Sequence, residues 1–272
     1  MAEPILRWAG SKRKLLPFLE SAAPARFSNY IEPFVGSGIY FLKLDTQRAV
    51  LNDLNDDLIE SYRAVMRSPR SVWRRVAAMS TVKEFYYELR SVNPSQLSPV
   101  NRAARFIYLN RFCFNGVYRT NLQWQFNVSR GEGHLFVPSC EAFEHFALRL
   151  RRSNLLSLDF SEVLDDARRG SYCYVDPPYA LEGKRDRGQY GVGTFREADE
   201  SRLVDSLLRA DRRGAKILMS YGHKASFLRQ FPGWQVTHLS VDRKVASRVT
   251  DRASASEVLI SNYRWEISSN LR

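Results

Sequence analysis

With 272 residues, 44% of them hydrophobic, the chain is long enough to bury a sizeable core, in one large domain or two smaller ones. The 41 Lys and Arg against 29 Asp and Glu leave a net charge of +12, which favours a polyanionic partner, nucleic acid ahead of a membrane surface, although solubility alone can use such a surplus. No apolar run approaches transmembrane length, Met1-Ala2-Glu3-Pro4 has no secretory pattern, and three cysteines without C-x-x-C spacing point to reduced thiols rather than a disulfide frame or zinc site.

From Ile5 to Leu19 the sequence predicts a turn at Gly10-Ser11, with Ser11 capping a helix that carries Leu15, Leu16 and Phe18 inward. Trp8 and Lys12 could line a ligand site, or Trp8 could be core and Lys12 a solvated cation; taken alone, the residues favour the second reading. Tyr30 to Gly38 then reads as a strand followed by a glycine turn, Glu32-Pro33-Phe34-Val35-Gly36-Ser37-Gly38, and a helix from Ile39. Gly36 and Gly38 would let a ligand approach backbone, but the run falls short of G-x-G-x-x-G. Ala49 to Leu54 predicts a second strand ending at Asp53. An acid at that place is the usual partner of ribose hydroxyls, so an adenosine-containing cofactor is expected over these two strands, with a helix cap as the competing role for Asp53.

Between about Asn55 and His145 the chain turns helical, basic and aromatic, including a predicted helix from Pro99 to Phe112, and we read this as an insertion between the second strand and the rest of the sheet. At its centre Asn115-Gly116 is a strong hairpin signal, from which Phe114, Val117, Arg119 and Asn121 would project. Arg and Asn reach guanine and adenine edges and aromatic tips wedge into base stacks, whereas a plain surface hairpin is an equal reading on composition. His134, His145, His223 and His238 have no metal-ligand partner at helical spacing, so no metal is expected.

The sheet resumes with a strand from Leu155 to Phe160, which would leave Asp159 and Phe160 beside the cofactor. Next comes Tyr172 to Val175, a buried strand that stops at Asp176-Pro177-Pro178-Tyr179. Proline bars its predecessor from helix, so Asp176 and Pro177 are held extended at the strand's carboxyl end, where open α/β sheets bind ligands. The Asp176 carboxylate, the Pro177 carbonyl and the Tyr179 ring offer two acceptors and a stacking face, which suit a planar group bearing an amine. Two acceptors on its hydrogens would aim the amine lone pair at an electrophile, so alkyl transfer to the exocyclic amine of a base is the chemistry implied; a simple turn is the bland alternative. A charged loop with Lys184, Arg185 and Arg187 follows, then a helix from Glu197 to Arg212, a strand from Ala215 to Ser220, a short helix from Lys224 to Gln230, a strand from Trp234 to Val241, the basic linker Asp242 to Arg252 and a strand from Val258 to Tyr263.

On these residues the sequence resembles the Dam-type, α-class DNA adenine-N6 methyltransferases. The likeness runs in order through Arg7-Trp8-Ala9-Gly10-Ser11-Lys12, Glu32 to Gly38, Asn52-Asp53, Asn110 to Asn121 and Asp176 to Tyr179. It implies a class I S-adenosylmethionine-dependent methyltransferase sheet, an α/β fold, mostly parallel with the last strand antiparallel, in a catalytic domain of residues 1–56 and 146–272. A mainly helical target-recognition domain would occupy 57–145, with its DNA-reading hairpin at about 114–130. S-adenosyl-L-methionine is the implied cofactor, held by Trp8, Lys12, Phe34, Gly36, Gly38, Asp53, Asp159, Phe160 and Asp176; Asp176, Pro177 and Tyr179 would hold a flipped adenine. Double-stranded DNA is the implied partner, met by Arg7, Phe114, Asn115, Val117, Arg119 and Asn121, with Arg119 matching a guanine-reading arginine and GATC the leading target. Ser129, where some GATC enzymes have proline, and Phe114, in place of tyrosine, are departures that bear on the outer base pairs. A cytoplasmic, nucleoid-associated protein of bacterial or phage origin is expected, with no membrane and no obligatory protein partner. The alternatives are a cytosine-N4 or RNA-adenine methyltransferase, or a DNA-binding protein without catalysis.

Overall fold

Every residue of the strand β4 (Ser171–Val175) is buried, which places it in the middle of a sheet covered on both faces. Its side chains alternate between two apolar clusters: Tyr172 and Tyr174 belong to one, Cys173 and Val175 to the other. The computed structural model describes residues 3–121, 123–132, 135–178, 195–239 and 257–268. Tyr179, His134, the charged loop with Lys184, Arg185 and Arg187, and the linker Asp242 to Arg252 lie outside them.

Around β4 stand β1 (Asn29–Glu32), β2 (Ala49–Asn52), β3 (Ser153–Leu156), β5 (Lys216–Gly222), β6 (Gln235–Leu239) and β7 (Glu257–Ser261). They form a 7-stranded sheet in the order β3-β2-β1-β4-β5-β7-β6. All neighbours are parallel except β7, which runs antiparallel between β5 and β6. This is the mixed α/β sheet of class I methyltransferases that the resemblance implied. The reversal of order at β1 and β4 opens a crevice at their carboxyl ends, where an open α/β sheet receives its ligand.

After β2 the chain leaves the sheet for α2 (Asp56–Arg67), α3 (Pro69–Ala77), α4 (Lys83–Ser91), α5 (Pro99–Phe112) and α6 (Cys140–Leu150), and returns as β3 beside the strand it left. One apolar cluster joins Leu58, Tyr62, Ile107 and Phe146 of these helices to Tyr30, Tyr172 and Leu218 of the sheet. The opposite face is covered by α7 (Phe160–Asp165) and α8 (Glu197–Arg212), with Val163, Leu203 and Leu207 turned inward.

The bounds of α5 and α8 are those the sequence predicts; α9 (Ala225–Leu228) is shorter than the predicted Lys224 to Gln230, and α1 spans Leu16–Ala22. Four local expectations are corrected. Ser11 makes no cap: the chain turns at Gly10 (φ 81°), and a single 3-10 turn over Arg13–Leu15 precedes α1. No regular helix follows Gly38, although Ile39, Tyr40, Phe41, Leu42 and Leu44 are all buried. Overlapping turns replace it, in which the N–H of Leu42 donates to the Gly38 carbonyl at 3.0 Å. β3 ends at Leu156 because Asp159 caps α7, its carboxylate accepting from the Ser161 N–H at 2.9 Å while Glu162 answers the cap's own N–H. Finally, Asn115 (φ 53°) and Gly116 (φ 64°) adopt the left-handed turn their types favour, but the ribbon does not fold there. Its antiparallel bridges join Cys113 to Arg130 and Thr120 to Phe126, so the tip lies beyond Thr120 and includes Trp124. Gly116 lies so close to Arg7 that a Cβ would stand 2.7 Å from that residue's own Cβ, which seats the Asn-Gly turn against the amino-terminal segment.

Candidate active site

Three strand ends are tied together at the crevice by one amide. Asn52, 1% exposed, donates to the carbonyls of Pro33 (2.9 Å) and Leu158 (3.0 Å) and accepts from the N–H of Leu158 (2.9 Å). The N–H of Val35 donates to the Asn52 carbonyl at 2.8 Å, which fixes the turn after β1. Beyond it Gly36 takes φ 45°, and a Cβ there would lie 2.8 Å from the Trp8 indole. Glycine therefore serves two needs, a left-handed backbone and room for the indole. Trp8 also stacks with Tyr118, with ring centroids 6.3 Å apart and planes 17° from parallel.

These groups line a cavity of about 730 Å³, within the range of cofactor sites. Its wall carries Glu32, Asp53 and Asp176 against the ammonium of Lys12. Burial pushes the Asp53 carboxyl up to about 6, although the N–H groups of Gly36 (3.1 Å) and Asn55 (3.0 Å) donate to its two oxygens and pull the other way. Burial likewise raises Glu32 well above the usual carboxylate range, against the hydrogen bond donated by the Tyr30 hydroxyl at 2.9 Å. Asp176 is raised by burial too, and the Lys12 ammonium and the Ser220 hydroxyl moderate the shift. In a chain of net charge +12, a cavity with this much buried acid suits a cationic ligand far better than a phosphate.

Lys12 is 6% exposed and stands 3.1 Å from Asp176 Oδ1 and 3.9 Å from Glu257, while donating to the Gly10 carbonyl at 3.3 Å. Removing one partner of a buried pair of this kind costs about 3–5 kcal/mol, because the other charge stays behind. The reading of Lys12 as a solvated cation is thereby corrected: the turn at Gly10 carries it inward onto the carboxylate after β4.

Trp8, Lys12, Phe34, Gly36, Asp53, Asp159, Phe160, Asp176 and Pro177 all line the cavity, so the structure brings this part of the expected set together. Phe34 and Phe160 meet at 5.5 Å and make an apolar wall with Phe195. Gly38 (φ 63°) lies one layer back, against Val35 and Phe146. For Asp159 burial acts upward, but bonds from Arg202 (2.6 Å) and Ser161 outweigh it and hold the carboxyl below its ordinary value. Glu32, Tyr118, Trp124 and Arg202 also line the cavity and were not singled out in the sequence. Glu32 carried a signal, an acid at a strand's carboxyl end like Asp53.

Tyr118, Thr120 and Trp124 of the ribbon reach the cavity wall, whereas Phe114, Asn115, Val117, Arg119 and Asn121 lie beside it. Phe114 is 54% exposed, and the backbone of Arg7, against which Gly116 packs, is clamped by the Asn110 amide (2.8 and 2.6 Å). Arg119 Nε donates to the Asn127 side-chain oxygen across the ribbon at 2.7 Å. Asn121 shapes the tip, its oxygen accepting from the N–H groups of Gln123 (3.0 Å) and Gln125 (2.9 Å), while Val117 packs on the main apolar cluster. Trp124 stands at that tip with φ 62°, 63% exposed. Among the described residues no cluster of His, Cys, Asp and Glu could hold a metal ion, and no helix is long and apolar enough to cross a membrane.

Residues 8–246 match the sequence profile of the D12 class N6 adenine-specific DNA methyltransferases. A type II methyltransferase of Lactococcus lactis subsp. cremoris is 30% identical over 270 residues, 96% of this chain and 95% of that one. A type II methyltransferase of Methanocaldococcus jannaschii is 29% identical over 293 residues, covering 96% of this chain and 99% of its own. The DNA adenine methylase of Salmonella typhimurium is 31% identical over 261 residues, 93% of each.

Proposed function

Because the chain belongs to the D12 class of N6 adenine-specific DNA methyltransferases, we propose that its cavity binds S-adenosyl-L-methionine and that Asp176 and Pro177 present a flipped adenine to it, within GATC. Bound there, the cofactor supplies a methyl group on a sulfonium centre. The acidic wall fits that cation, and Asp53, with acceptor oxygens directed by Gly36 and Asn55, fits a ribose diol. Trp8, Phe34 and Phe160 offer flat apolar surface to an adenine ring.

Asp176 lies at the carboxyl end of the central strand, on the cavity wall, held by Lys12 and Ser220; this single observation carries the reading. An adenine swung out of the duplex would give its two amino hydrogens to the Asp176 carboxylate and the Pro177 carbonyl, localising the nitrogen lone pair toward the methyl group. Tyr179, two residues beyond Pro177, would stack on the base. Holding the two reactants in line accounts for much of the rate, since orientation alone is worth roughly 7–11 kcal/mol. Neither a covalent intermediate nor the cysteines are required.

The hairpin supports duplex reading. Asn127 steadies the Nε side of the Arg119 guanidinium, and its outer end suits the O6 and N7 edge of guanine. Exposed Phe114 suits the gap left by the flipped base, and Arg7, Asn115, Val117 and Asn121 frame the approach to the duplex. The wild-type enzyme with cofactor should protect plasmid GATC sites from a nuclease blocked by adenine methylation there, and Asp176→Ala should abolish protection while retaining duplex binding. Activity near wild type in Asp176→Ala would refute the assignment, and protection at a different sequence would refute GATC alone.

A further inference from the structure

A serine in the middle of an otherwise apolar strand needs an account. β5 reads Lys216-Ile-Leu-Met-Ser-Tyr-Gly, and Ser220 is 0% exposed within it. A buried hydroxyl is costly unless it is hydrogen-bonded, and this one is bonded on both sides. Its oxygen lies 2.9 Å from the Tyr174 hydroxyl and 2.8 Å from Asp176 Oδ1. An ionised carboxylate accepts only, so Ser220 donates to Asp176, and Tyr174, itself 2% exposed, donates to Ser220. The strand register builds this chain: Tyr174 pairs with Leu218 and Val175 with Met219, so Ser220 is next in line beside Asp176. Period-two alternation then puts Tyr174, Asp176 and Ser220 on one face.

The Ser220 and Lys12 donors converge on the same oxygen of Asp176, Oδ1. Rotation of the carboxyl group would break both contacts. We propose that Ser220 is a positioning residue for methyl transfer: the chain Tyr174 to Ser220 to Asp176 fixes Oδ1 on the protein, so that Oδ2 is the oxygen presented to the target amine. The inference rests on the role of Asp176 argued above. The same donor has a second effect, because it favours the ionised carboxylate that must accept the amine hydrogens. Among the described residues, the charged and titratable groups facing Asp176 are Lys12, Glu257 and Glu32, with the Tyr174 hydroxyl. All of them remain when the serine hydroxyl alone is removed.

The test is the pH dependence of kcat, with cofactor and duplex saturating, for wild type, Ser220→Ala, Tyr174→Phe and Asp176→Ala. Loss of the Ser220 donor raises the Asp176 pKa, and activity is lost as pH falls through that pKa. The acid limb of Ser220→Ala should therefore move to higher pH by about one unit, with kcat at its plateau down about tenfold or more. Tyr174→Phe keeps the ring and the serine, and should move the limb the same way by less; it also decides the matter should Ser220→Ala fail to fold. A wild-type acid limb in both variants would overturn the proposal, whatever their melting temperatures, since a merely structural hydroxyl moves stability and not this limb. Inactive Asp176→Ala with unmoved limbs counts against Ser220 alone, whereas active Asp176→Ala removes the reading beneath it.

Discussion

The Asp53 carboxyl, pushed up to about 6 by burial, gives cofactor binding a pH dependence of definite sign. Below that value the ligand-free protein holds a proton there, and on the proposed role of Asp53 a protonated carboxyl would lose an acceptor for the ribose diol and a negative charge in a cavity that receives a cation. Affinity for S-adenosylmethionine should thus weaken as pH falls through about 6, approaching tenfold per unit, with a proton released on binding. Calorimetric titrations at pH 5 to 8 in buffers of different ionisation enthalpy would register both effects. Asp53→Asn should bind weakly throughout and lose the trend; a flat profile in the wild type would show that Asp53 does not meet the cofactor.

At the scale of the elements, the turn after β1 depends on one missing methyl group. Gly36→Ala would put a Cβ against the Trp8 indole and force an L side chain to φ 45°, a strain of about 1–2 kcal/mol before any shift of the ring. We expect a lower melting temperature, a changed indole fluorescence and weaker cofactor binding from that single change; wild-type affinity would mean that Trp8 is no wall of the pocket. Much of this element was legible in advance, because Glu32-Pro33-Phe34-Val35-Gly36-Ser37-Gly38 after a strand and Asp53 after the next carry their chemistry in local order. The same holds for α5, opened by Ser98-Pro99, and for α8, whose amphipathic pattern runs from Glu197 to Arg212. What sequence could not supply were meetings across the sheet. The approach of Lys12 to Asp176 spans most of the chain, and Ser220 is an ordinary residue until the register of β4 and β5 sets it beside the carboxylate. Asn115-Gly116 announced a turn correctly, yet that turn packs against Arg7, and the ribbon is bridged farther on, at Thr120 and Phe126.

For the molecule as a whole, the surplus of 41 basic over 29 acidic side chains coexists with an acidic cavity, so the positive charge lies elsewhere. Duplex binding should accordingly be strongly salt-dependent, with log K falling against log salt by about 0.9 for each phosphate neutralised. Cofactor binding, inside the acidic cavity, should change little over the same range. Fluorescence anisotropy with labelled duplex and titration of cofactor at several salt concentrations would separate the two; parallel losses would mean that the charges act on both sites alike.

The adjacency of β2 and β3 fixes where this protein can be cut and rejoined. Since Leu51 pairs with Leu155 and Asn52 with Leu156, everything between hangs from a single doorway two strands wide, although its helices share their apolar interior with the sheet. Chimeras that trade target preference should thus place their breakpoints inside those paired strands and carry α2 and α6 along with the hairpin. Swapping the ribbon alone would leave Arg7 and Trp8 facing a foreign surface, and the graft would lose its registration with the chemistry before it acquired a new sequence to read.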